Sequence, residues 1–183
     1  MKQVIKLICF VLLVVVLLAF SACAGNQSEN EMTTEANAQY EQLIPIEQLD
    51  KLTLKIYFRS TTLIGSPMDQ KDLISFAAQT DSVITVAPAE LIKHTELLES
   101  LTSSTLITPE ESFEMNARLC YFFENENGER VFELVTNGYG AATAWVNGEM
   151  VANRKIFYEI ICPFLTEEAI KITEIPQSFY SKE

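Results

Sequence analysis

The stretch Asn127–Gly148, "NGERVFELVTNGYGAATAWVNG", carries the dipeptide Asn-Gly three times at intervals of ten residues. Asn-Gly suits the two-residue hairpin turn, because both positions there need positive φ. With Asn127-Gly128 as such a turn, Glu126 faces Glu129, Phe123 faces Phe132 and Tyr121 faces Leu134, and Leu119 extends the same face. Apolar side chains meeting apolar side chains along a whole register is what stabilises a strand pair. Around Asn147-Gly148, Trp145 pairs with Met150 and Ala144 with Val151. The middle connection, "NGYG", leaves a choice. A loop of two or four residues puts Trp145 on the face of Phe132 and Leu134, whereas three residues reverse it. The expectation drawn from the buried reading of Trp145 is the shared face. The ten-residue interval is therefore a strand plus a turn, and the stretch reads as an antiparallel meander.

A calcium loop is the rival reading, and it fails on its ends. Asn125, Asn127 and Gly128 fall at the third, fifth and sixth positions of an EF-hand-like loop, but Phe123 and Leu134 occupy the first and twelfth, where carboxylates are needed.

Outward from the meander, "LTLKIYFR" alternates: Leu52, Leu54, Ile56 and Phe58 point one way and Thr53, Lys55, Tyr57 and Arg59 the other, which predicts a half-buried strand. "SVITV" (82–86) is short and β-branched and predicts another. Helix-start signals predict helices beginning at Ser66-Pro67, at Pro88 (88–101, with Leu91, Leu98 and Leu101 on one face) and at Thr108-Pro109. "RKIFYEIICPFL" (154–165) has a wide apolar stripe and predicts a helix that packs on the sheet, with Pro163 in its last turn. Residues 166–183 show no clear periodicity. The fold expected is α+β: an antiparallel β-meander with an additional strand, and helices packed on one face.

The N-terminus has a different character. Lys2 and Lys6 precede an unbroken apolar run of 14 residues, Leu7–Phe20, which is shorter than the roughly 20 of a membrane-spanning helix. It suits the apolar region of a secretory signal. Next comes Phe20-Ser21-Ala22-Cys23, which resembles the lipobox of bacterial lipoproteins and departs from it at Phe20, where leucine is commonest. The resemblance spans about the first 25 residues and implies that Cys23 receives a diacylglyceryl group and becomes the new N-terminus. Two alternatives stand beside it: ordinary cleavage at the small-x-small Ala22-Cys23-Ala24, and an uncleaved anchor. The organisation expected is a signal peptide over 1–22, the lipidated cysteine and a flexible acidic tether over 23–45, and one domain over 46–183. The domain is similar in architecture to small uncharacterised lipoproteins of Gram-positive bacteria, a resemblance that implies no activity. It also looks too short for the two-lobed solute-binding lipoproteins of transporters.

Without Lys2 and Lys6 the chain keeps 11 basic against 25 acidic residues, a net charge of −14. Phosphate backbones and anionic headgroups repel such a chain, so nucleic acid is not an expected partner. Attachment to a membrane would come from the acyl chains on Cys23, and the further partner expected is a protein or another envelope component.

The residues that could carry chemistry each have a plainer reading. His94 is the only histidine, and it shares the face of Leu91, Leu98 and Leu101. No Gly-x-Ser-x-Gly elbow, Cys-x-x-Cys or metal-ligand spacing accompanies it, so no catalytic residue, metal or cofactor is expected. Cys120 and Cys162 project differently in the derived register and are expected to stay unpaired. Glu110-Glu111 and Glu167-Glu168 each follow a threonine at a predicted helix start, where acid complements the helix dipole. Tyr139, bracketed by Gly138 and Gly140, is the one ligand-binding candidate. The function expected is a membrane-tethered, extracytoplasmic, non-enzymatic binding or interaction module. An envelope hydrolase and a regulator of a neighbouring membrane protein are the alternatives.

Overall fold

The structure is a computed structural model that describes residues 40–60 and 66–179. The signal segment, Cys23 and most of the tether lie outside the described residues. The part described folds around a sheet of strands β1 (Thr53–Phe58), β2 (Val83–Val86), β3 (Leu119–Glu124), β4 (Arg130–Thr136), β5 (Thr143–Val146) and β6 (Glu149–Ala152). All neighbours are antiparallel, in the order β2-β1-β3-β4-β5-β6. The α-helices are α1 (Gln70–Gln79), α2 (Pro88–Leu91), α3 (Thr95–Glu99), α4 (Ile156–Glu159) and α5 (Glu167–Thr173). The α+β class therefore holds.

The register of the central pair is the one that apolar matching dictates: Tyr121 faces Leu134 and Phe123 faces Phe132. The turn beyond it differs from the expected type. Asn125 O accepts from Gly128 N (2.9 Å), and only Gly128 takes positive φ, at +80°. This is a type I turn followed by a left-handed glycine, with the register slipping between Phe123 and Glu124. The cause is Asn125, whose Oδ1 accepts from both Asn127 N and Glu129 N at 3.0 Å. That side chain fixes where the turn begins. At Asn147-Gly148 both residues have positive φ, 49° and 83°, as the two-residue turn requires. Trp145 faces Met150 there.

The main core lies on one face. Leu54, Ile56, Tyr121, Phe123, Phe132 and Leu134 meet Leu91, Leu98 and Leu101 from the helical stretch after β2, and Phe157, Ile160 and Phe164 from the chain after β6. Edge-to-face contact between Phe123 and Phe132 (6.2 Å) sits within it.

A second core occupies the opposite face. Here Leu73 of α1 packs with Cys120, Phe122, Val135 and Trp145. The helices thus cover both faces, not one. Trp145 is core as expected, but it faces Val135 and not the Phe132–Leu134 side. The loop between β4 and β5 decides this, because Thr136 pairs with Ala144 and the residues between them exceed the four allowed for. Burial on both faces also explains why β3 is buried at five consecutive positions.

Other elements depart from pattern in ways their residues explain. Helix α1 starts at Gln70, since Asp69 Oδ1 caps Asp72 N (2.8 Å) and competes better than Ser66. The stretch 88–101 is broken by a 3₁₀ turn over Ile92–His94 between α2 and α3. Pro163 ends the closing helix early, so that α4 gives way to a 3₁₀ turn at Cys162–Phe164. No helix forms at Thr108-Pro109. That stretch runs irregularly along the sheet edge, where Ala152 N donates to Ile107 O (2.7 Å). Helix α5 is capped by Thr166 Oγ1, which accepts from Ala169 N (3.1 Å). On the N-terminal side the fold begins before residue 46: Ile44 is fully buried and Gln42 bridges to Thr102.

Candidate functional site

The loop between β4 and β5 carries the ligand-binding candidate. Gly138 (φ 106°) and Gly140 (φ 89°) flank Tyr139 and let the chain turn sharply around it. Tyr139 remains 42% exposed. Its ring contacts Tyr158 and Phe179 edge-on, each at 5.4 Å between centroids. Lys155 Nζ lies 4.6 Å above the Phe179 ring. Lys155 Nζ is also paired with Glu159 Oε1 (2.6 Å), so the corner offers an aromatic ring and a hydroxyl beside a neutralised ion pair.

Beneath Tyr139 a buried polar network holds the loop. Tyr158 OH donates to Gly138 O (2.9 Å) and lies 2.8 Å from Thr136 Oγ1. Asn153 Nδ2 donates to Tyr158 OH (2.8 Å) and to Ala141 O (3.0 Å). Gly138 N donates to Thr136 Oγ1 (3.0 Å). Burial raises the Tyr158 phenol above its ordinary range, and its bonds to Thr136 and Asn153 pull the other way. The loop carbonyls that a turn leaves without ladder partners are thus satisfied from below, and Tyr139 stands on a fixed base. Among the described residues, two buried oxygens, Asn153 Oδ1 and Thr143 Oγ1, have no hydrogen-bond partner.

Alongside the corner, Arg59 and Arg118 meet where β1 ends and β3 begins: Arg59 N donates to Arg118 O (2.9 Å). The Arg59 side chain is 3% exposed and donates to Ala117 O (3.1 Å) and Asn116 Oδ1 (2.7 Å). Burial and the neighbouring Arg118 charge lower its pKa. Both arginines border a cleft with Tyr139 and Tyr158, but the cleft is too tight to hold a water-sized void. A ligand would meet Tyr139 at the surface rather than enter.

The remaining candidates fall elsewhere. His94 is half-buried with its ring edge-on to Phe164 (5.0 Å), and the open groove beside it is formed by the contiguous residues Ile92–Leu97 alone. That is the helix's own surface, not a cleft where other catalytic groups converge. Among the described residues no three of His, Cys, Asp and Glu come together as metal ligands would. Glu167 and Glu168 occupy the first turn of α5, as capping requires. Glu110 and Glu111 lie in the irregular edge segment.

Cys120 and Cys162 are both free and buried, in the two cores on opposite faces of the sheet. Burial pushes the Cys120 thiol up to about 12, against a bond from Gln70 Nε2, and the Cys162 thiol up to about 11. Both are then held as thiols at neutral pH, the less reactive form. In the folded protein at pH 8, an alkylating reagent is expected to leave these two unmodified, and in denaturant to modify both. Rapid labelling of either in the native state would contradict their burial.

Sequence reading missed the Thr136–Asn153–Tyr158 network. Its one available signal was a tyrosine within an otherwise aliphatic and phenylalanine stripe, since a buried phenol needs a partner. No protein-family model matches the chain, and neither the curated proteins nor the solved structures contain a match.

Proposed function

We propose that the chain is a lipid-anchored, extracytoplasmic protein whose domain serves as a binding or interaction module held close to the membrane. The observation that carries this reading is the placement of Cys23 directly after an apolar run and two small residues. The acidic stretch that follows gives reach without attraction to anionic headgroups: as a flexible coil it extends about 25 Å. On the domain, Tyr139 is the surface best suited to contact a partner. An aromatic ring on a rigid loop loses little conformational entropy when it is covered.

Replacement of Cys23 by alanine tests the anchor. The parent should incorporate labelled fatty acid and sediment with membranes. Cys23→Ala should lose the label and leave the membrane fraction. Equal labelling and equal retention in both would end the proposal.

A further inference from the structure

The parity of the strands identifies the main-chain groups that β2 turns away from the sheet. Phe58 N donates to Ser82 O (3.2 Å), and Arg59 N donates the other way, to Arg118 O (2.9 Å). Phe58, Ile56 and Leu54 therefore bond toward β2, where Ser82, Ile84 and Val86 answer them. The N–H and C=O of Val83 and Thr85 point outward, and among the described residues no hydrogen bond reaches them. Thr85 is exposed, and Val83 and Ile84 are half-buried.

Natural sheets blunt such an edge with a lysine, a proline, a bulge or a covering segment. Among the described residues β2 has none of these. Ser82–Ala87, "SVITVA", contains no charge and no proline, and its pairing with β1 runs without a register shift. We infer that this edge pairs with the β2 edge of a second copy, antiparallel, about a two-fold axis at Ile84.

The register follows from the groups themselves. A hydrogen-bonded pair must join one outward residue to another. Centring on Ile84 sets Val83 against Thr85 of the second copy and Thr85 against its Val83, so that all their outward groups are used at once. Ile84 meets its own counterpart in the closer, non-hydrogen-bonded kind of pair, and its side chain, which packs on the main core, gains apolar cover. Charge favours the same arrangement. The chain carries −12, so two copies repel wherever acids meet. Here Asp81, the first charge before β2, faces Ala87 of the second copy, and the two Asp81 residues stand about 20 Å apart along the seam, beyond the range of screening. A parallel pairing would set them side by side. Two strands of this length bury less than the roughly 1,200 Å² of a standard interface, so the pair is weak and concentration favours it.

Disulfide trapping in the purified full chain tests the register. Ile84→Cys places two thiols opposite each other on the axis, within reach of a bond. Thr85→Cys places them diagonally, about 7–8 Å apart, too far to bridge without movement. With oxidised glutathione, Ile84→Cys should give a dimer whose disulfide maps to residue 84, and Thr85→Cys about tenfold less. Adding Thr85→Pro to Ile84→Cys removes an outward N–H and no bond to β1, a change that an edge strand accepts, and should abolish the cross-link. Thermal melts establish that each variant is folded. A folded Ile84→Cys that yields no more dimer than Thr85→Cys would overturn the pairing, as would a cross-link that survives Thr85→Pro. Should Ile84→Cys not fold, the parent decides: its Val83 and Thr85 amides should exchange more slowly as protein concentration rises. Fast exchange at every concentration would overturn the pairing, and it is also what an edge reserved for a strand of another protein would give.

Discussion

Phe132→Ala is expected to lower the stability of the domain by about 3–5 kcal/mol, the cost of emptying a phenylalanine-sized space in a closed core. Phe132 is fully buried, contacts the rings of Tyr121 and Phe123, and sits at the centre of the strand order. Both neighbours in its layer are themselves fixed, Tyr121 by a bond from its OH to Phe157 O (2.9 Å), so the cavity has little freedom to collapse. Domains of this size have about 5–15 kcal/mol in total, and the variant would stand near the edge of folding at 37 °C. Urea unfolding followed by Trp145 fluorescence measures it from the opposite face of the sheet. Ile92→Ala, at a side chain 50% exposed, is the control and should stay within about 0.5 kcal/mol of the parent. Equal midpoints for the two variants would mean that Phe132 does not sit where the register places it.

Tyr158→Phe should cost about 1–3 kcal/mol, and it does so without making a cavity. The lost hydroxyl removes the shortest bond to Gly138 O and one partner each from Asn153 Nδ2 and Thr136 Oγ1, in a site closed to most water. The effect should also be local. Amides of the loop after β4, including Ala141 N, which donates to Gly138 O (3.2 Å), should exchange faster than those of β1 and β3. An Asn153→Ala change should add little once Tyr158 is already phenylalanine, since the two share one network. Full additivity, or faster exchange spread evenly over the sheet, would show that the network does not hold the Tyr139 loop.

These two residues also mark what could be read beforehand. Phe132 was legible because a two-residue periodicity and a hairpin signal fix partners several positions away without knowledge of the loop's conformation. The same signal could not tell a two-residue turn from one that starts at Asn125, because the side-chain bonds of Asn125 are a local competition that periodicity does not record. The face of Trp145 depended on counting loop residues through "NGYG", and two glycines with positive φ allow several counts. A clue existed: Cys120, Phe122 and Val135 are all apolar on the face opposite Tyr121, Phe123 and Leu134, which is the mark of a sheet covered twice. Tyr139 was legible as an exposed loop residue, whereas its base was not. Thr136, Asn153 and Tyr158 come from a strand end, a loop and a helix, and only the fold brings them together.

The two margins of the sheet are unlike. At β6 the outer side is occupied, since Ala152 N is bonded to Ile107 O. At β2, among the described residues, no main-chain bond beyond the pairing with β1 engages the outer side of Val83–Val86. A sheet with one free margin among its described residues cannot be a link in a chain built strand to strand. The lipid anchor proposed above would concentrate copies on a surface, where strand-to-strand association is most favoured. Here such growth would stop at a pair, because joining two β2 margins uses up the one open sheet margin among the described residues of each copy.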